Sequence, residues 1–204
     1  AYRGQMERLI VNWRTQWGTD FPFYFVQLPN FMAPWQSPVE DGGWPQIRES
    51  FAKTAKEVPG TGMAITIDIG EENDIHPKNK QDVGDRLGRV ALRKTYGLKG
   101  FAWNGPVAES CKFADGKAVV RFDNGGAPLA VKGGAKLFGF ALTGEDGLTV
   151  HADAVIAGTD TVVVSSPKVP QPTVVHYAWA NNPVGVNLAN AEGLPASPFR
   201  FGEK

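Results

Sequence analysis

The feature that most constrains this chain is a change of hydrophobic period near its middle. Before Tyr96, apolar residues recur at helical spacing or form short, nearly continuous runs. After Pro106 they alternate in short segments separated by Gly, Asn and Asp. From Gln5 to Trp17, the positions Met6, Leu9, Ile10, Trp13 and Trp17 predict one helix stripe. Phe21 to Leu28 reads as a strand buried on both faces. Pro45 opens a second helix with the stripe Ile47, Phe51, Ala55 and Val58, ended by Pro59-Gly60. Met63 to Ile69 predicts another buried strand. Pro77 then starts a third helix carrying Val83, Leu87, Val90 and Ala91, closed by Gly97.

The resulting order, αβαβα, implies a parallel βαβ unit covered by helices. Two strands make too small a sheet to stand alone, so further strands are expected from elsewhere. Ala1-Tyr2-Arg3 is neither an initiator methionine nor an apolar signal segment. The chain is therefore expected to begin mid-fold, as one piece of a larger protein. The second half is predicted to carry strands at Ala118–Phe122, Leu137–Leu142, His151–Ile156, Thr161–Ser165 and Val174–Trp179. Asp115-Gly116, Asn124-Gly125 and Asp146-Gly147 supply its turns. These features suggest an antiparallel β-sandwich. The expected fold class is thus α/β, with an α/β part over residues 1–100 and a β-sandwich module over 103–204.

Composition narrows the function. Twenty-one basic and 21 acidic residues give a formal net charge of +0, with no excess field to grip a phosphate backbone. No apolar run approaches the roughly 20 residues that span a bilayer. Neither nucleic acid nor a membrane is expected as a partner. The single cysteine, Cys111, excludes an internal disulfide and reads as a small, partly buried apolar residue. His151 and His176 lie within strand patterns and read as structural. Three widely spaced histidines give no metal site, and no cofactor is expected.

The chemistry points to the loop after the second strand. Sites in open α/β sheets form beyond the carboxyl ends of strands, where His76 stands one residue before a helix-opening proline. A helix N-terminus there disfavours the imidazolium and keeps the ring able to accept a proton. Asp74 and Asp68 are both near enough in sequence to orient that ring. Asp74 is preferred because Asp68 can lie within the strand; Glu71 and Glu72 are weaker choices. The same residues also fit a plain helix cap with solvated acids. The loop Pro29–Trp44 emerges at the same edge and offers Asn30 and Trp35 to a sugar, with Gln27 just before it. An equally simple reading packs those aromatics against the neighbouring module.

No serine has the setting of a nucleophile. Ser37, Ser50, Ser110, Ser165, Ser166 and Ser197 all lack a nucleophile elbow.

Three stretches carry a resemblance. Asp74-Ile-His-Pro-Lys-Asn-Lys-Gln81 resembles the histidine block of bacterial sialate O-acetylesterase-like proteins of the SGNH/GDSL hydrolase superfamily. Phe25-Val-Gln-Leu-Pro-Asn30 is similar to the same group. So is the tail Tyr177-Ala-Trp-Ala-Asn-Asn-Pro183 with Glu192-Gly-Leu-Pro-Ala-Ser-Pro-Phe199. The resemblance implies the C-terminal part of a flavodoxin-like α/β/α domain with appended β modules. It implies hydrolysis of acetyl esters on sugar hydroxyls, with His76 as base and then acid. The attacking serine would lie upstream, so the implied partners are an N-terminal fragment of the same enzyme and an acetylated carbohydrate. That superfamily places its aspartate three residues before the histidine, where this chain has Asn73; Asp74 stands two before. A Ser–His dyad with a backbone orienter is the alternative. Acetylated sialic acid and acetylated xylan or xyloglucan both fit. The Pro29–Trp44 loop has no arginine for a sialate carboxylate, which favours neutral polysaccharide. A periplasmic or secreted location is expected.

Overall fold

The computed structural model describes residues 2–202. The first half runs α1 (Tyr2–Trp17), β1 (Phe23–Val26), α2 (Gly43–Glu57), β2 (Thr61–Ala64) and α3 (Lys80–Lys94). β1 and β2 pair in parallel, with Phe25 opposite Met63 and Val26 opposite Ala64. β2 is buried along its whole length, whereas β1 buries only Phe25. The strands are shorter than the apolar runs that announced them, because Ile65, Thr66 and Ile67 stay buried after the ladder ends.

α1 departs from its predicted stripe. Met6 and Ile10, one helical turn apart, pack with Phe25 of β1 and Phe51 of α2. Leu9, Trp13 and Trp17 stay exposed, Trp17 by 68%. Trp13 and Trp17 instead meet each other and the rings of Phe23 and Phe21. α3 also differs. It starts at Lys80 rather than at Pro77, because the Asn79 side chain caps it by accepting the Asp82 N–H at 3.1 Å. Its buried face centres on Arg86 and Val90.

The second half holds β3 (Val107–Ala114), β4 (Lys117–Asp123), β5 (Leu129–Val131), β6 (Phe140–Gly144), β7 (Thr149–His151) and β8 (Asp153–Ile156). It continues with β9 (Thr161–Ser165), β10 (Pro172–Tyr177), β11 (Leu188–Asn190) and β12 (Phe199–Phe201). Their pairings are antiparallel. One four-stranded sheet has the order β3-β4-β9-β8, another β12-β10-β6-β7, and β11 pairs with β5. Alternation in β4 turns Ala118, Val120 and Phe122 inward, beside Val162 and Val164 of β9. Phe140, Leu142, Val175, Tyr177 and Phe199 from the second sheet complete the same core. Each such side chain contributes about 1.5–3 kcal/mol through burial.

Three differences from the sequence reading have plain causes. β3, which contains Ser110, lies where the sequence predicts no strand, because its two faces do not alternate between core and solvent. The His151–Ile156 run is two strands, since the chain passes between sheets at Ala152. The Leu137–Leu142 run becomes a strand only at Phe140, after Gly139 at φ 102. Among the described residues no helix is long and apolar enough to cross a membrane.

Candidate functional site

Because β1 and β2 run in parallel, the loops leaving their carboxyl ends lie side by side. The Gln27 N–H donates to Ala64 O at 2.9 Å, extending the ladder, and Thr66 Oγ1 donates to Gln27 O at 2.6 Å. Further out, the Gly70 N–H donates to Asn30 Oδ1 at 2.7 Å, and the Met32 N–H donates to Glu72 O at 3.0 Å. Gly70 cannot be any other residue here, since a Cβ would sit 1.9 Å from Asn30 O.

His76 stands at the outer end of the second loop. Glu71 and Asp74 bridge a tight turn before it, and the Asp74 carboxylate accepts the His76 N–H at 2.8 Å. The same oxygen lies 3.3 Å from His76 Nδ1, and the imidazole is 82% exposed. The His76 backbone hydrogen bond, then contact with its ring, holds the Asp74 carboxyl below the ordinary aspartate range. Glu71 pairs with Lys78 Nζ at 2.6 Å, and that hydrogen bond lowers its own carboxyl. A carboxylate beside Nδ1 fixes the tautomer that leaves Nε2 free to take a proton. α3 begins three residues beyond Pro77, so His76 lies outside the helix's first turn and the expected dipole effect on its ring has no basis.

Asp68 is committed elsewhere. Arg86 reaches both of its oxygens, at 2.6 and 3.0 Å, and Lys132 adds a third contact at 3.0 Å. Burial pushes the Asp68 carboxyl up, but Arg86 and then Lys132 outweigh it and hold the group below its ordinary value. Its carboxylate therefore anchors α3 and the second half of the chain to the strand end, and does not orient His76.

The other expected site residues are differently placed. Gln27 is fully buried, its amide donating to Ser197 Oγ at 2.9 Å, so it meets no solvent-facing sugar. The Asn30 side chain is spent on Gly70 and on Asn182 Oδ1, at 2.9 Å. It shapes the two loops from within. Trp35 is half-buried, with Nε1 donating to Val184 O at 3.1 Å and its ring edge-on to His151.

Arg48 was missed. It is fully buried on α2 and donates to the carbonyls of Leu28, Pro29, Ala180 and Asn181 at 2.6 to 2.9 Å. Burial lowers its guanidinium pKa to about 9. A charge lying three residues before Phe51, on the buried stripe of α2, was the available signal. Its contacts explain the Tyr177–Pro183 block, whose backbone closes over the first loop. The Glu192–Phe199 block is held elsewhere, by its side chains. Glu192 pairs with Arg89 at 2.8 Å and accepts the Ala102 N–H, while Ser197 holds Gln27.

The remaining nucleophiles are elsewhere. Burial pushes the Cys111 thiol up to about 11, as befits a packing residue. Ser37 and Ser50 donate to nearby carbonyls. Among the described residues, no serine, threonine or cysteine hydrogen-bonds to His76. His176 is buried against Trp179. Among the described residues, no group of three or more His, Cys, Asp or Glu is placed to hold a metal ion.

No family model matches the chain. In sequence it is 35% identical to the sialate O-acetylesterase of Mus musculus over 125 residues, which is 52% of this chain and 22% of that protein. It is 31% identical to the human sialate O-acetylesterase over 138 residues, 58% of this chain and 25% of that protein. In fold it matches the crystal structure of a carbohydrate acetylesterase from Xanthomonas citri with a TM-score of 0.91 and 41% identity. That match covers 100% of this chain and 46% of the other. The chain is thus similar in sequence to sialate O-acetylesterases and in fold to a carbohydrate acetylesterase, and it spans less than half the length of each of these proteins.

Proposed function

We propose that this chain supplies the histidine part of a serine-type carbohydrate O-acetylesterase, with the serine in a segment outside these 204 residues. The observation that carries this reading is the exposed Asp74–His76 pair at the carboxyl edge of a parallel strand pair. In this scheme His76 Nε2 takes the proton from the serine Oγ as that oxygen attacks the acetyl carbonyl. It then delivers the proton to the departing sugar oxygen. Water, activated by the same nitrogen, releases acetate from the acyl-enzyme. Asp74 holds the ring and stabilises its charged form.

The same proposal extends to the rest of the chain and to its partners. Residues 1–100 form the C-terminal part of a flavodoxin-like SGNH domain, and residues 103–204 form a β-sandwich module. The partner is the N-terminal part of the same enzyme, whose strands would flank β1 and β2 and cover the exposed Leu9, Trp13 and Trp17. The substrate is an acetylated neutral polysaccharide such as xylan or xyloglucan, in preference to acetylated sialic acid. The setting is periplasmic or extracellular.

Acetate release from acetylated xylan by the complete enzyme tests this. His76→Ala should lower the rate by about 10²-fold or more. An unchanged rate would instead favour a second reading, in which the chain is a carbohydrate-binding or structural module. That reading draws on the half-exposed aromatics around Trp35 rather than on His76.

A further inference from the structure

A second concave site lies away from His76, between the Pro29–Trp44 loop and the second half of the chain. It is a pocket of about 600 Å³ lined by Trp35, Phe138, His151, Lys136, Asp153 and Val184, among others. Neither His76 nor Asp74 contributes to it. Its volume falls within the range of small-molecule sites, which combine aromatic walls with a few polar groups.

The walls are held in advance of any ligand. Trp35 is fixed by its backbone N–H on Asn182 O, by Nε1 on Val184 O and by its edge contact with His151. Its one ring donor is thus used, and what it presents is an apolar surface. Phe138 is 54% exposed, yet its backbone is pinned: Asn187 Oδ1 accepts its N–H at 2.8 Å. Asn187 Nδ2 in turn donates to Lys136 O at 2.9 Å. An aromatic side chain left half-exposed on a fixed backbone offers apolar surface that a ligand can cover.

The polar groups specify the kind of ligand. Lys136 Nζ and Asp153 Oδ1 pair at 2.8 Å, so they neutralise one another while keeping free donor and acceptor positions. His151 is exposed and adds a ring nitrogen. Paired charge with aromatic faces suits uncharged hydroxyl groups on an otherwise apolar ring, and gives no net field for a carboxylate or phosphate. The loop that carries Trp35 is tied by its backbone to the candidate reaction loop. Three residues before Trp35, Met32 donates from its backbone to Glu72 O, in the loop that carries His76.

We propose that this pocket is a second carbohydrate-binding site, taking a neutral oligosaccharide segment distant from the acetyl ester. The inference rests on the carbohydrate reading above, but not on catalysis at His76. Isothermal titration of the complete protein with unacetylated xylohexaose and cellohexaose tests it. At least one of the two sugars should bind saturably. Trp35→Ala and Phe138→Ala should each weaken that binding by about tenfold, and His76→Ala should leave it in place. Phe138 is exposed, so its variant keeps the test valid if Trp35→Ala misfolds. Wild-type affinity in Phe138→Ala, absence of binding to either sugar at millimolar concentration, or loss of binding in His76→Ala would overturn the proposal. Tighter binding of sialyllactose than of both neutral sugars would overturn the assigned class. Because the probes carry no acetyl group, a negative result here leaves the esterase reading standing. An unchanged acetate release in His76→Ala would equally leave this site standing.

Discussion

The two halves of the chain bury their apolar surface in different ways. In the second half, Val120, Val162 and Val164 face Leu142, Val175 and Phe199 across one core fed by two four-stranded sheets. In the first half, two strands pair only with each other, and one helix leaves Leu9, Trp13 and Trp17 in water. The second half is completed by its own side chains. The first is held to the second by polar ties at the strand ends: buried Arg48 on carbonyls of both halves, Asp68 on Lys132, and buried Gln27 on Ser197. The candidate reaction loop hangs on the less self-sufficient half, positioned by hydrogen bonds rather than by packing. A β scaffold thus steadies an α/β site that its own small core does not fully define.

The largest expected effect breaks this contrast at the junction. Arg48→Met should remove hydrogen bonds to Leu28, Pro29, Ala180 and Asn181, leaving buried carbonyls unpaired, and cost on the order of 4 kcal/mol. Denaturant unfolding checks this. A loss below about 1 kcal/mol would mean the first half holds itself without the clamp.

A smaller effect tests the second tie. Asp68 has a depressed folded pKa, so its contribution is fully present above its unfolded value of about 3.9. It is lost as pH falls through the lower folded value. Asp68→Asn should therefore cost about 1–3 kcal/mol at neutral pH and flatten the acid limb of the stability curve below about pH 4. Melting temperatures from pH 7 to pH 2 would show it; parallel curves for the two proteins would remove Asp68 from the junction.

The smallest effect belongs wholly to the second half. Asp115 and Gly116 turn the β3–β4 hairpin at φ 49 and 73. Gly116→Ala should cost about 1 kcal/mol, from the left-handed backbone and a Cβ 3.1 Å from Pro170 O. Amide exchange should quicken in that hairpin and leave the Gly70–His76 loop unchanged; an altered loop would show that the halves are coupled beyond their polar ties.

Much of the architecture was legible because periodicity reports local burial. The helix at Pro45, the buried Met63 segment and the Thr161–Ser165 strand follow directly from apolar spacing and turn residues. β3 escaped because it faces no single environment. β11 and β12 escaped because three residues carry no period. In the candidate site, Asp74 and His76 were legible because they contact each other two residues apart. The partners that Gln27, Asn30 and Asp68 take, Ser197, Asn182 and Lys132, were not legible because they lie far along the chain.

The Asp74–His76 pair and the loop beyond a strand were determined by the sequence itself, since short-range geometry and hydrophobic period require nothing distant. Which polar residues became struts was decided by tertiary structure alone. A buried amide or guanidinium takes its role from whatever donors and acceptors the fold brings within about 3 Å, and local pattern contains none of that information. Arg48 is the clearest case: a charge on an apolar helix stripe in the sequence, and in the folded chain the clamp that joins the two halves.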